Sequence, residues 1–78
     1  MKITVYSKPN CIQCEMTKNY LKDNDIHFNE IDVTQNDEAL NAVKQAGYTG
    51  MPVVTIGYGF DFSWCGFRPD RLEELVVE

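Results

Sequence analysis

A Cys-X-X-Cys unit, Cys11-Ile12-Gln13-Cys14, stands where a short apolar strand pattern gives way to a helical one, and few folds put two thiols there. Ile3 and Val5 suit a strand over residues 3–5, and Ser7-Lys8-Pro9-Asn10 breaks it. Residues 11–23 then favour helix, so the pair falls in the first helical turn. Free backbone N–H groups and the positive dipole end stabilise a thiolate at a helix start, and the thiolate is the reactive form of cysteine. A free thiol with a pKa of ~8.5 is only about 3% ionised at pH 7, whereas one lowered to ~7 is roughly half ionised. The spacing lets the second sulfur attack whatever the first has bonded to. These residues therefore read as a dithiol–disulfide exchanger.

The rest of the chain fits an α/β arrangement. The first strand (β1, residues 3–5) leads into the first helix (α1, residues 11–23), where Met16 and Tyr20, with Thr17 and Leu21, sit four apart on neighbouring faces. Glu15, Lys18, Asn19 and Lys22 are expected to face water, and Asn24-Asp25 to end the helix. Residues 27–33, with Phe28, Ile31 and Val33, read as a second strand (β2), and a right-handed crossover lays it parallel to the first. Thr34-Gln35-Asn36-Asp37 supplies caps for a second helix (α2) with Ala39, Leu40, Val43 and Ala46 inward and Gly47 as its stop. Residues 53–56 form a third strand (β3). Gly57-Tyr58-Gly59 reverses the chain into a fourth (β4, residues 60–65). Pro69 suits the first turn of a last helix (α3) striped by Leu72, Leu75 and Val76. The predicted fold is thus β1α1β2α2β3β4α3, a four-stranded mixed sheet of order β2-β1-β3-β4 with three helices, the minimal thioredoxin arrangement.

At 78 residues the chain is expected to form a single domain, 1–78, with no repeat or linker. It has no apolar run near ~18 residues and no export signal, which points to the cytosol. Its formal net charge of −5 disfavours nucleic acid or an anionic membrane as partner. Three cysteines are an odd set, which argues against a secreted disulfide framework.

Within the pair, Cys11 is the expected attacking thiolate and Cys14, a turn deeper, the resolving thiol. Ile12 and Gln13 set the local environment. Lys8 either adds positive potential near Cys11 or is a solvated loop lysine. Met51-Pro52 is either a plain turn before β3 or a cis bond that aims the Met51 backbone at an incoming peptide strand. Trp64 and Phe67 pack in the core or at an edge. Arg68 either braces its loop through a carboxylate or is exposed, and Cys65 reads as an ordinary buried thiol, with a secondary redox role at the dithiol end of the sheet as the weaker alternative. Cys11, Cys14, Cys65 and His27 nominally make four tetrahedral metal ligands, but His27 belongs on a far strand.

The segments Val5-Tyr6-Ser7-Lys8-Pro9-Asn10-Cys11-Ile12-Gln13-Cys14 and Trp64-Cys65-Gly66-Phe67-Arg68-Pro69-Asp70 resemble the NrdH-redoxin branch of the glutaredoxins, and the likeness spans essentially the whole chain. The resemblance implies a dithiol electron donor to class Ib ribonucleotide reductase, docking on that enzyme's large subunit. It implies re-reduction by thioredoxin reductase at the expense of NADPH, no bound cofactor and a monomer. By position, Cys11 and Cys14 are the redox disulfide and Pro52 the cis-proline. Lys8, Ile12, Gln13, Met51, Pro52, Trp64, Gly66, Phe67 and Arg68 are the expected partner-contacting residues. Cys65 departs from the serine expected in the closing motif. Glutaredoxins commonly carry Cys-Pro-Tyr-Cys, a Thr-Val-Pro loop, and a Gly-Gly turn followed by acids that hold glutathione. Ile12-Gln13, Gly50-Met51-Pro52 and Arg68-Pro69 depart from that pattern. Two other readings compete: a glutathione-dependent glutaredoxin, and a zinc- or iron–sulfur-binding regulatory module that does no exchange.

Overall fold

The computed structural model describes residues 2–76. β1 (Ile3–Ser7) is followed by α1 (Ile12–Asp23), β2 (Asn29–Asp32), a 3-10 turn (Val33–Gln35) and α2 (Asp37–Gln45). β3 (Val53–Ile56), β4 (Phe62–Cys65) and α3 (Pro69–Glu73) complete the order. The sheet runs β2-β1-β3-β4, with β1 parallel to β2 and antiparallel to β3, and β3 antiparallel to β4. Element order and topology are those predicted.

Strand alternation divides the buried residues between two faces. Ile3, Val5, Val54 and Trp64 point to one face and form a cluster with Leu21 of α1 and with Leu72 and Leu75 at the end of the chain. Phe28, Ile56 and Phe67 pack around it. The other face carries buried Thr4, Val53 and Thr55, and α2 buries Ala39 and Val43 apart from the first cluster. Tyr6 stacks on Phe60, with ring centroids 5.7 Å apart. Ser63 Oγ donates its only proton to the Phe60 carbonyl (2.7 Å), so Tyr48 O–H donates to Ser63 Oγ (2.6 Å) and ties the exit of α2 to β4.

Several expectations need correction. Met16 is 44% exposed rather than core, because Cys14, Thr17 and Leu21 make the inward stripe of α1. Lys18 does not simply face water: its side chain lies along the surface and reaches Glu30 on β2. β2 is shorter than residues 27–33, because the Asp32 carboxylate accepts from both Thr34 N–H and Thr34 Oγ1 and turns the chain at Val33. Ala46 is exposed at the C-cap of α2, one residue before Gly47, whose φ of 98° supplies the stop. β4 begins at Phe62 rather than residue 60, since residues 57–61 are spent on the reversal. α3 ends at Glu73, and Leu75 is buried from the turn beyond it.

The candidate dithiol site

β1 carries the chain to the top of the sheet, where Pro9 and Asn10 turn it. Asn10 takes a left-handed conformation (φ 59°), which asparagine tolerates better than most residues. Cys11 is left extended as the N-cap of α1, and its carbonyl accepts the first helical bond from Glu15 N–H (3.1 Å). Cys11 Sγ accepts from Cys14 N–H at 3.2 Å, so the sulfur itself caps the helix. A hydrogen bond to the charged form, added to the positive end of the helix dipole, lowers the free energy of a thiolate at Cys11. Cys14 is 1% exposed, Cys11 half-buried. The two form a disulfide.

Two loops close on this pair. The first is residues 50–52, in which the Met51–Pro52 bond is cis and Pro52 is buried. The Met51 carbonyl oxygen lies 3.8 Å from Cys11 Sγ, which resolves the open reading of this turn in favour of the loop facing the dithiol. The second is residues 65–67. Gly66 N–H donates to the Pro52 carbonyl (2.8 Å), and Phe67 N–H donates to Gln13 Oε1 (3.0 Å). Gly66 has a φ of 92°, and a Cβ built on it would stand 3.2 Å from Gln13 Oε1, so both the backbone and the approach of Gln13 favour glycine. Contacts therefore run in a ring from Cys11 to Met51, from Pro52 to Gly66, and from Phe67 back to Gln13.

The remaining predicted residues divide. Ile12 is 79% exposed beside Cys11, and Lys8 is exposed in the turn before it. Arg68 is exposed and braces its loop: Nε and Nη2 donate to the two oxygens of Asp70, at 3.2 and 3.0 Å. That hydrogen-bonded pair raises the Arg68 pKa and holds the Asp70 carboxyl below the usual carboxylate range. Trp64, expected among the partner-contacting residues, is instead 4% exposed and faces the α1/α3 side of the core. Its alternation partner Cys65 points to the opposite face, where its thiol donates to the Gly50 carbonyl at 3.3 Å; it is half-buried rather than buried. The guanidinium of Arg71 covers the Trp64 ring at 5.0 Å.

His27 precedes β2 at the end of the sheet opposite Cys11, so the nominal four-ligand set is not brought together. Among the described residues no group of three or more His, Cys, Asp or Glu side chains is placed to hold a metal. Met16, expected on the inner side of α1, is exposed on the same side as Ile12. It lies a turn beyond Ile12, and the signal was present: Cys14, Thr17 and Leu21 already fill the inward stripe at helical spacing.

A thioredoxin-type sheet with a helix-capping, accessible cysteine bonded to a buried one defines a thiol–disulfide oxidoreductase. The glutaredoxin family model matches residues 3–60. The glutaredoxin-like protein NrdH of Lactococcus lactis subsp. cremoris is 42% identical over 95% of this chain and 99% of its own length. That of Escherichia coli K12 is 39% identical over 96% of this chain and 89% of its own. The solved structure of NrdH-redoxin from Escherichia coli, described as glutaredoxin-like with a thioredoxin-like activity profile, superposes with a TM-score of 0.91 at 37% identity, covering 100% of this chain and 99% of that one. The chain belongs to the NrdH-redoxin family of glutaredoxin-like proteins.

Proposed function

We propose that this protein is the electron donor to a class Ib ribonucleotide reductase and is itself re-reduced by NADPH-dependent thioredoxin reductase. It works as a monomer of one domain in the cytoplasm, with no bound cofactor. Among the described residues, no helix is long and apolar enough to cross a membrane. The observation that carries the chemistry is the asymmetry of the pair: Cys11 Sγ accepts a backbone N–H and is reachable, while Cys14 is buried behind it.

In this reading Cys11 attacks a disulfide of the reductase large subunit and forms a mixed disulfide, displacing the partner's other sulfur as a thiolate. Cys14 then loses its proton and attacks Cys11 Sγ. The partner leaves as a dithiol once its thiolates take up two protons, and Cys11–Cys14 is oxidised. Two electrons and two protons pass from this chain to its partner. Met51 presents backbone to the incoming peptide beside the sulfur, with Pro52 fixing that loop. Ile12, Gln13, Gly66, Phe67, Arg68 and Lys8 border the contact.

The preference for thioredoxin reductase over glutathione has its own support. Glutathione carries two carboxylates and an amine, and Arg68-Pro69 stand here where glutaredoxins have acids that hold it, with Asp70 already paired to Arg68. The deciding experiment follows NADPH oxidation while the protein reduces insulin disulfides or a purified class Ib reductase. Electrons are supplied either by thioredoxin reductase or by glutathione with its own reductase. Turnover with the first and little with the second is expected; comparable turnover with glutathione would make the protein a glutathione-dependent glutaredoxin.

A further inference from the structure

The strap of residues 65–67 holds the loop of residues 50–52 at two points. Gly66 N–H donates to the Pro52 carbonyl at 2.8 Å, and one residue earlier the Cys65 thiol reaches the Gly50 carbonyl oxygen at 3.3 Å. The two acceptors flank Met51, whose own carbonyl oxygen stands 3.8 Å from Cys11 Sγ. We propose that the Cys65 thiol is a positioning residue for thiol exchange: by holding the Gly50 carbonyl it fixes where the Met51 carbonyl stands relative to Cys11.

The chemistry follows from the direction of that carbonyl. Its oxygen carries partial negative charge, so beside a sulfur it favours the protonated thiol, which can donate to it, over the thiolate. In the reduced protein the position of this carbonyl therefore bears on how readily Cys11 reacts as a thiolate. On the C-terminal side of Met51, Gly66 N–H holds the Pro52 carbonyl and Val53 is already paired in the sheet. On the N-terminal side stands Gly50, which has no side chain to hold the backbone and the widest conformational range of any residue. The thiol lies directly over this glycine: a Cβ built on Gly50 would meet Cys65 Sγ at 3.8 Å, an ordinary packing distance. A sulfur–hydrogen donor is weak, so the effect is a tuning rather than a switch.

The role rests on the reading of Cys11 as the attacking sulfur, and the test separates the two. Cys65→Val keeps the volume without a donor, and Cys65→Ser keeps a donor. In a Cys14→Ser background, the rate of iodoacetamide alkylation is followed against pH at Cys11, resolved from other sites by peptide mass. With Cys14 intact, KM and kcat for insulin reduction are measured. Cys65→Val is expected to lower the Cys11 alkylation midpoint by roughly half a pH unit. It is also expected to raise KM about threefold with a smaller change in kcat. Cys65→Ser restores both. A valine variant equal to the parent in both readouts, or a serine variant that departs as far as valine, overturns the proposal. Should Cys65→Val not fold by circular dichroism, Cys65→Ala removes the donor at smaller volume; loss of fold in both would show a packing role and overturn it too. A Cys11 unreactive at every pH instead overturns the nucleophile assignment, and this positioning role with it.

Discussion

Gln13 and Phe67, 54 residues apart in the chain, are joined by a 3.0 Å hydrogen bond from the Phe67 amide to Gln13 Oε1. The bond ties the first turn of α1, which holds both redox sulfurs, to the strap that in turn holds the Pro52 carbonyl. Gln13→Ala removes the acceptor where water can replace it. The expected loss of stability is about 0.5–1 kcal/mol, at the low end for a hydrogen bond. The functional loss should be larger in KM for a protein disulfide than in kcat, since the strap borders the proposed docking surface. Urea unfolding and insulin-reduction kinetics check the two halves separately.

Gly66 gives a sharper test of the same junction. Its φ of 92° is unfavourable for any residue with a Cβ, and that Cβ would press on Gln13 Oε1 at 3.2 Å. Gly66→Ala should cost about 1–3 kcal/mol, from backbone strain and crowding together. Gln13→Ala opens the crowded space but leaves the strain. Gly66→Ala should therefore cost less in the Gln13→Ala background than in the native chain, and a double-mutant cycle in urea measures the difference. Strict additivity would show that the two residues do not press on one another.

Why the sequence discloses the ring of contacts only in part follows from the residues that form it. Cys11, Cys14 and the α1 start are local: a strand, a breaker and a helix period place the sulfurs without knowledge of the rest of the fold. The element order is legible for the same reason, since each strand and helix carries its own periodicity. The Gln13–Phe67 and Cys65–Gly50 contacts depend on how distant loops meet, and no spacing encodes that. Trp64 and Met16 show a second limit. The Trp64 indole is taken into the α1/α3 side of the core, whereas the closing motif that contains it faces the site through Cys65, Gly66 and Phe67. Met16 reads as core by residue type but is displaced from the inward stripe by Thr17, whose hydroxyl donates to the Gln13 carbonyl (2.9 Å) and so can be buried.

Glu30 joins β2 to both β1 and α1, because its Oε2 accepts from Lys18 Nζ (2.8 Å) and from Ser7 Oγ (3.1 Å). The Lys18 hydrogen bond is the main reason the Glu30 carboxyl is held below the usual carboxylate range. The same bond raises the Lys18 pKa. For a carboxyl lowered in the folded state, the stabilisation is present above its unfolded pKa and is lost as pH falls through the folded value. For the raised lysine it is present below the unfolded pKa and is lost as pH rises through the folded value. Neutral pH lies between, so both contribute there. Glu30→Gln should then cost less than about 1 kcal/mol at pH 7, given the partial exposure of the pair. The gap from the native chain should close as pH falls through the acid range in urea titrations. A gap that stayed constant with pH would mean that Glu30 contributes through packing and not through its charge.

The different parts proposed for the two redox sulfurs are separable by single substitutions. Cys11→Ser should abolish insulin reduction, because Cys14 is 1% exposed and cannot replace it as the attacking thiol. Cys14→Ser should still attack a partner but lack the resolving sulfur, so a mixed disulfide accumulates. Non-reducing electrophoresis with a purified partner reads this as a band at the summed mass, absent with Cys11→Ser. Full turnover in Cys11→Ser would reassign the nucleophile.

Ile12 and Met16, one turn apart on α1 and 79% and 44% exposed, place an apolar ridge beside Cys11. Their exposure costs little alone, since single apolar side chains are common on surfaces, but their i, i+4 spacing makes them contiguous. A partner that brings its disulfide to Cys11 would bury part of this ridge, whereas a small aromatic disulfide such as Ellman's reagent reaches the sulfur without covering it. The double variant Ile12→Ser with Met16→Gln should therefore raise KM for a protein disulfide on the order of tenfold, from the apolar area no longer buried. The rate with Ellman's reagent should stay near that of the native protein, which also controls for any change in Cys11 ionisation. Equal losses with both substrates would place the effect at the sulfur. No loss with either would mean that partners approach from the side of Met51 and Phe67 and leave α1 uncovered.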